Sequence, residues 1–322
     1  MKPLKAGHRI SERDIRTLFS EYISECKYTL RRRPETLRGY EAVFSTFVKL
    51  CPGVSLDTLT AKTITQFFER LQTRERIVGR DIVAKGVKDS TIGTYSSKLH
   101  SFFTWLVGKG LLAQNPLHGV KREYPAYDDS KTLRKKDIER IRTAIENNSR
   151  HLLQAKRDRM ILSILLFCGV RKGELLGLHV TDVDLERLIL TVRRETSKSK
   201  HSRKLPINRE LRMHIEDYLE ERRRHKYTTP HLIVSLERDS GLTTHGIKHW
   251  VDNLKRVSGV KFHLHRFRHA FACAAYTICK DPLAIQLFLG HADLKMTVRY
   301  LRSLGVEEFR STVDSMSFDS FV

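Results

Sequence analysis

Apolar residues return at helical spacing through most of this 322-residue chain, and the one stretch that breaks this spacing constrains the fold most. Along residues 15–106 they recur every three or four positions, as in helices with one buried face. At 188–192 and 203–207 the pattern changes to two short strand-like runs around a polar turn, 196–202. Helical spacing then resumes. The chain is therefore expected to be mainly α with a small antiparallel β-sheet, an α+β fold.

The spacing predicts helices at 15–26, 34–50 and about 64–71, and a longer one that opens at Ser90 as N-cap and closes at Gly108. Residues 1–120 therefore form a small helical bundle. Between its last two helices, residues 72–89 are expected to form a basic loop. Further helices are predicted at 137–147, 152–167, 208–226, 243–257, 265–279 and 282–289.

The segment from Tyr124 to Ser130 breaks every period and contains a proline and three polar residues, which is typical of an interdomain linker. We therefore expect a helical domain at 1–123, a linker at 124–130, a larger mixed domain at 131–306 and a C-terminal tail at 307–322.

The charge of the chain points to a polyanionic partner. Lys and Arg number 59 against 37 Asp and Glu, a net charge of +22. A cationic solubility surface or attachment to an anionic membrane is the alternative that charge alone leaves open. No apolar run is as long as a membrane span, and the first residues lack the apolar segment of a signal peptide. Five scattered cysteines without a Cys-x-x-Cys pair indicate reduced thiols, so we expect a cytoplasmic protein without membrane contact.

The first motif that could carry chemistry is Cys168-Gly-Val-Arg171-Lys-Gly-Glu174. Gly169 can end one helix and place Arg171 at the start of the next. A glutamate three residues on can hold the guanidinium rigidly and present it to a phosphate. Taken alone, the motif is more often an ordinary ion pair. The same caution applies to Lys198, which lies in the polar turn between the two strands.

The third motif, His263-Leu-His265-Arg-Phe-Arg268-His269, places His265 and Arg268 on one face of a helix start. A histidine and an arginine on a basic domain can clamp a phosphate. Zinc is the rival ligand, but no Cys or carboxylate is spaced to complete a site, and the neighbouring arginines would repel a dication. We expect no metal and no cofactor.

The fourth motif runs from Leu289-Gly-His291 to Tyr300, with the histidine and the tyrosine nine residues apart across a turn and a short helix. A single tyrosine on a helix is usually a packing residue. In this order and at these separations, however, the motifs resemble the tyrosine recombinase family of phage integrases, Xer proteins and Cre. The resemblance is strong over 130–305 and weaker over 10–120.

The resemblance implies a SAM-like helical core-binding domain followed by a catalytic domain. It also implies catalytic roles for six residues and a supporting role for Glu174. In the family Tyr300 would form a 3′-phosphotyrosine, with His265 accepting its proton. Lys198 would protonate the leaving 5′-oxygen. The six residues are Arg171, Lys198, His265, Arg268, His291 and Tyr300.

The partner implied is double-stranded DNA that carries specific recombination sites, located with the nucleoid in a prokaryote. The resemblance also implies two strand exchanges through a Holliday junction in a homotetramer joined by its C-terminal tails, with an accessory factor or second recombinase as an option. A type IB topoisomerase and a non-catalytic DNA-binding protein are the alternatives. The residues expected to contact DNA in the first domain are Arg74, Arg76, Arg80, Lys85, Lys88, Thr91 and Lys98.

Overall fold

The fold is taken from a computed structural model that describes residues 14–78, 82–119, 133–197 and 200–301. The chain divides into two compact units, Met1–Ala126 and Tyr127–Val322. The linker expected at 124–130 and the tail expected at 307–322 lie outside the described residues. The proposed domain boundaries therefore stay a prediction.

The described part of the first unit contains four α-helices, and local sequence explains where three of them begin. Asp14 accepts a hydrogen bond from the backbone of Arg16, Pro34 occupies the first turn of its helix, and Thr60 accepts from the backbone of Thr63. The helices predicted at 15–26, 34–50 and 64–71 are confirmed. The four helices are α1 (Ile15–Tyr28), α2 (Pro34–Leu50), α3 (Ala61–Thr73) and α4 (Asp89–Gly108).

The expected N-cap of α4 is wrong. The helix begins at Asp89 with Lys88 as its N-cap, so Ser90 lies inside the first turn. Asp89 places a negative charge at the positive end of the helix dipole, which favours a start two residues earlier than the hydroxyl pattern predicts.

Aromatic rings form the centre of the first unit. Phe19 stacks on Phe44 with ring centroids 3.8 Å apart, and Phe102 meets both rings edge-on at 5.2 and 5.6 Å. Phe47 and Phe67 make another edge-on pair at 5.1 Å. These contacts join α1, α2, α3 and α4 in one core.

The prediction that residues 72–89 form a loop is wrong. Two strands, β1 (Glu75–Val78) and β2 (Ile82–Lys85), pair as an antiparallel hairpin. Ile77 lies opposite Val83, and both side chains are largely exposed, at 75% and 64%. Here β-branched residues favour strands although no core covers them.

In the second unit, helices precede and follow a small sheet along the chain. Its sheet has the order β3-β4-β5 and is antiparallel throughout, with Leu190 paired to Leu205 on its buried face. The two predicted strands are confirmed, and the pattern did not predict β3. Within the described residues the elements are α5 (Lys135–Asn148), α6 (Leu152–Cys168), α7 (Lys172–Leu176), β3 (Val183–Asp184), β4 (Ile189–Val192), β5 (Arg203–Pro206), α8 (Arg209–Arg224), α9 (Thr244–Ser258), α10 (His265–Cys279), α11 (Pro282–Leu289) and α12 (Leu294–Leu301).

Helix α6 is the central element of this unit. It is buried on all sides over 160–165 and packs against α5, α8 and α10. A helix buried in this way gives its neighbours a rigid support. Across the described ranges, no helix is long and apolar enough to span a bilayer.

Three helices of the described residues end in glycines with a left-handed backbone, and two of these ends lead into the motifs of interest. Gly169 follows α6 with φ 55°, and Gly290 follows α11 with φ 62°. At Gly169 a Cβ atom would lie 2.5 Å from the ring of Phe271 and 3.1 Å from Leu289. Only glycine allows this close approach of α6, α10 and α11.

We therefore expect Gly169→Ala to lower the free energy of unfolding of the second unit, because the added Cβ overpacks the contact with Phe271. The loss should exceed by about 1–3 kcal/mol the loss caused by the same substitution at another glycine with a left-handed backbone. Gly259→Ala is the matched control. Gly259 has φ 65°, but its Cβ would meet only the end of the flexible Arg140 side chain. Urea denaturation, followed by Trp250 fluorescence in a Trp105→Phe background, measures both. Equal destabilisation of the two variants would show that the contact with Phe271 is not limiting.

Candidate active site

The structure brings five of the six expected catalytic residues together in the second unit. Arg171 precedes α7, His265 and Arg268 lie in the first turn of α10, His291 follows α11, and Tyr300 lies in α12. Hydrogen bonds and ring contacts connect these segments. The sixth residue, Lys198, lies outside the described residues, between the ends of β4 and β5.

Arg268 is the most deeply buried cation of the group, with 1% of its surface exposed. Its Nη1 donates to the Gly169 carbonyl at 2.7 Å, and its Nη2 donates to the Leu289 carbonyl at 2.6 Å. Burial, together with the charge of Arg171, lowers the pKa of Arg268 to about 10, so it stays charged at neutral pH. Its Nε has no hydrogen-bond partner among the described residues.

Arg171 is oriented by the carboxylate three residues after it and by the end of α11. Its Nη1 donates to Glu174 Oε1 at 2.9 Å, and its Nη2 donates to the Gly290 carbonyl at 3.3 Å. The Glu174 carboxylate also accepts from the Arg171 backbone N–H at 2.9 Å. The ion pair expected from the spacing of the motif is therefore present.

Glu174 has a second partner that sequence reasoning missed. Arg203, at the start of β5, donates from Nη1 and Nη2 to the two carboxylate oxygens at 3.1 and 2.8 Å. Burial alone would raise the pKa of Glu174, but the hydrogen bonds and charge of Arg203, with those of Arg171, lower it to about 2. Glu174 is therefore a carboxylate at every pH at which the protein would act.

Tyr300 is enclosed by histidines. Its hydroxyl lies 2.8 Å from Nε2 of His265. The rings of His265, His269 and His291 lie with centroids 5.6, 5.1 and 5.3 Å from the tyrosine ring. The phenol thus has a hydrogen-bond partner that can accept its proton, provided that His265 is neutral.

The pKa of His265 meets this condition. Partial burial of the ring, followed by the positive charges of Arg268 and other neighbours, lowers it to about 4. At neutral pH the imidazole is neutral and can accept a proton.

His291 is held by a hydroxyl that sequence reasoning also missed. Its Nδ1 lies 2.8 Å from Oγ1 of Thr297, a fully buried residue of α12. Burial and the charges of Arg268 and Arg171 lower the pKa of His291 to about 3, so the ring is neutral. Nε2 is buried without a hydrogen-bond partner among the described residues.

Both missed residues had weak signals in the sequence. Thr297 lies six residues after His291 and faces it because the chain bends at Ala292 and Asp293 before α12 begins. Arg203 is 29 residues from Glu174, and nothing in the local pattern connects the two. Within the described ranges, no group of three or more His, Cys, Asp or Glu side chains is arranged to hold a metal ion.

The expected DNA contacts of the first unit lie on the hairpin and on α4. Arg76 donates from Nε to the Gly86 carbonyl at 2.6 Å, and Lys98 lies over the Tyr40 ring at 4.9 Å. These two side chains are therefore already oriented by the protein. Arg80 lies outside the described residues. The remaining candidates are Arg74 after α3, Lys85 in β2, Lys88 before α4 and Thr91 in the first turn of α4.

The Thr297 hydroxyl has no other hydrogen-bond partner in the described part of the chain, so it donates its hydrogen bond to Nδ1 of His291. Nδ1 must then be the unprotonated nitrogen of the ring. We expect His291 to carry its single proton on Nε2, and Thr297→Val to abolish this preference. Nitrogen-15 NMR of the imidazole distinguishes the two tautomers. Thr297→Ser keeps the hydroxyl and should keep the wild-type spectrum. Protonation of Nδ1 in the wild type would contradict the assignment.

Similarities to known proteins identify the family of this chain. Residues 131–305 match the Phage integrase family. The tyrosine recombinase XerC of Alcanivorax borkumensis is 27% identical over 280 residues, which cover 84% of each chain. The Tn1549 transposon integrase, solved in complex with a circular intermediate DNA, has a TM-score of 0.74 at 18% identity, covering 93% of this chain and 98% of that one.

The XerH site-specific recombinase, solved in a post-cleavage complex with a palindromic difH substrate, has a TM-score of 0.71 at 17% identity. It covers 91% of this chain and 82% of that one. These structural similarities show the fold and confirm the predicted α+β class with its helical first region. Because the family spans more than half of the sequence, the chain belongs to the phage integrase family of tyrosine recombinases, whose enzymes cleave and rejoin DNA.

Proposed function

We propose that this chain is a site-specific recombinase that cleaves and rejoins DNA through a covalent bond between Tyr300 and a 3′-phosphate. The observation that carries the proposal is the hydrogen bond of 2.8 Å between the Tyr300 hydroxyl and His265 Nε2, next to the cations Arg171 and Arg268. A phenol that only packs in a core does not need a neutral histidine and two arginines around it.

In the proposed reaction the Tyr300 oxygen attacks phosphorus while its proton passes to His265. The bond between phosphorus and the 5′-oxygen breaks, and the leaving oxygen takes a proton, a step that the family resemblance gives to Lys198. The phosphotyrosine keeps the energy of the phosphodiester. A 5′-hydroxyl from another strand can therefore reverse the reaction without ATP, and two such exchanges would pass through a Holliday junction.

The charges of the site fit this reaction. Attack on a phosphodiester forms a pentavalent phosphorane that carries more negative charge than the ground state. Arg171, Arg203 and Arg268 bring three positive charges against the single negative charge of Glu174. Arranged donors in a buried site stabilise such developing charge more than water can. Arg268 and His291 each retain a buried nitrogen with no hydrogen-bond partner among the described residues, and both lie beside the tyrosine.

The proposed partner is double-stranded DNA. The net charge of +22 favours a polyanion, and the Tn1549 integrase and XerH are both solved with DNA. We propose that the hairpin β1–β2, the residues that flank it and the N-terminal half of α4 contact phosphates. The residues concerned are Arg74, Arg76, Arg80, Lys85, Lys88, Thr91 and Lys98.

We also propose a homotetramer in which the tails at 307–322 pass between protomers. The tail contains Met316, Phe318 and Phe321, three apolar side chains in a polar segment outside the described residues. On the second unit, Leu283 and Leu287 lie four residues apart on α11 and are 57% and 76% exposed. Exposed apolar residues on one helix face are a suitable surface for such side chains.

Removal of the Tyr300 hydroxyl tests the proposed nucleophile. Wild-type protein on a nicked suicide substrate that carries its own recombination site should form a protein–DNA adduct that survives SDS. Tyr300→Phe should bind the same DNA and form no adduct, because only the attacking oxygen is removed. Tyr276→Phe, a change to a half-buried tyrosine of α10, is the matched control and should form the adduct normally.

An adduct of wild-type yield in Tyr300→Phe would refute the assignment of the nucleophile. Products of the wild-type reaction separate the alternatives. Strand transfer between two sites supports a recombinase, whereas relaxation of supercoils without transfer supports a topoisomerase, and binding without an adduct supports an accessory protein.

Removal of the arginines in and beside the hairpin tests its proposed contact with DNA. Replacing Arg74, Arg76 and Arg80 with Ala should make the salt dependence of DNA affinity less steep, by about 0.9 in the log–log slope for each phosphate that the variant no longer neutralises. Ile77→Thr with Val83→Thr changes the same hairpin without changing its charge and should leave the slope unaltered. If the slope stays the same in the alanine variant, the hairpin does not lie on DNA.

A further inference from the structure

Arg203 joins three parts of the second unit. It is the first residue of β5, its side chain is only 10% exposed, and it pairs with Val192 across the sheet. Its Nη1 and Nη2 bind both oxygens of Glu174, and its Nε donates to the Phe288 carbonyl at 2.8 Å. One guanidinium therefore connects the β4–β5 pair to the start of α7 and the end of α11.

The contacts of Arg203 determine what Arg171 can bind. Glu174 is 1% exposed and has two carboxylate oxygens, and Arg203 contacts both of them. The Arg171 guanidinium shares one of these oxygens, Oε1. A bidentate fork on a carboxylate restricts its rotation, so Arg203 sets the direction in which Glu174 holds Arg171.

The contact with Phe288 acts on the other side of the same site. The next two carbonyls, of Leu289 and Gly290, accept hydrogen bonds from Arg268 and Arg171. Arg203 therefore holds in place the end of α11, whose carbonyls orient Arg171 and Arg268. Lysine could not replace it, because a single ammonium group cannot reproduce the planar fork.

We propose that Arg203 is a positioning residue for DNA cleavage, which acts through Glu174 to orient Arg171 at the scissile phosphate. The inference rests on the proposed function. From the sequence, Glu174 was expected to pair with Arg171 alone. In this proposal the Glu174 carboxylate binds Arg203 of β5 as well, so the position of β5 determines how Arg171 is oriented.

A double-mutant cycle tests the proposal, with the rate of covalent adduct formation on the suicide substrate as the readout. Arg203→Gln should slow the wild-type reaction by about 10-fold or more, whereas the same change in a Glu174→Gln background should slow it by less than about 3-fold. Arg203→Lys should fall between wild type and Arg203→Gln. Equal slowing in both backgrounds would overturn the proposal, because Arg203 would then act on the phosphate directly or on the fold.

A pH profile gives a readout that a purely structural role would not change. Without Arg203, burial should raise the pKa of Glu174 from about 2. In the wild type, protonation of His265 near its pKa of about 4 sets the acid limb of the rate. Once the pKa of Glu174 rises above that value, loss of the carboxylate that holds Arg171 should move the acid limb upward. Arg268 from α10 and His291 after α11 also lie near this cluster and are present in every variant.

Two controls isolate this effect. The double variant with Glu174→Gln has no carboxylate to titrate and should lack the shift. Arg193→Gln removes a comparable ion pair in the same region, to Asp182 at 3.0 Å, and should lower stability without shifting the acid limb. No shift in Arg203→Gln would contradict the proposal. If the wild type forms no adduct, the proposed function itself fails. If the wild type forms an adduct but the two substitutions have additive effects, only the role of Arg203 fails.

Discussion

The structure of the second unit depends on hydrogen bonds from three arginines to the carboxyl end of α11. The carbonyls of Phe288, Leu289 and Gly290 accept from Arg203, Arg268 and Arg171. The last carbonyls of a helix have no partner inside the helix and carry partial negative charge, so they suit cationic donors. The arginines come from β5, α10 and the start of α7. This one helix end therefore holds elements that are far apart in the sequence.

The same cations set the protonation of the histidines around Tyr300. Together with burial, they lower the pKa of His265 to about 4 and that of His291 to about 3. A neutral His265 can accept the phenolic proton, and a neutral His291 can donate one hydrogen bond from Nε2. A bound phosphate would offset the positive charge and raise both pKa values. His265 would then become a stronger base when the phosphate is in place.

Local patterns in the sequence predicted most helices, both main strands and the pair formed by Arg171 and Glu174, because these depend on spacing along one element. Contacts between distant elements were not predictable in this way. The bridge from Arg203 to Glu174 spans 29 residues and depends on the packing of β5 beside α7. The hairpin β1–β2 was missed for another reason. Its charged residues suggested a solvated loop, although Ile77 and Val83 favour strands.

The choice of partners explains how the site keeps its positive charge. Main-chain carbonyls orient the Arg268 guanidinium without a formal negative charge, and in the described part of the chain no carboxylate hydrogen-bonds to it. A carboxylate there would compete with phosphate. Glu174 does contact Arg171, but Arg203 brings a further positive charge to the same carboxylate. Three guanidinium groups and one carboxylate leave a net charge of +2, which is available to balance a doubly charged phosphorane.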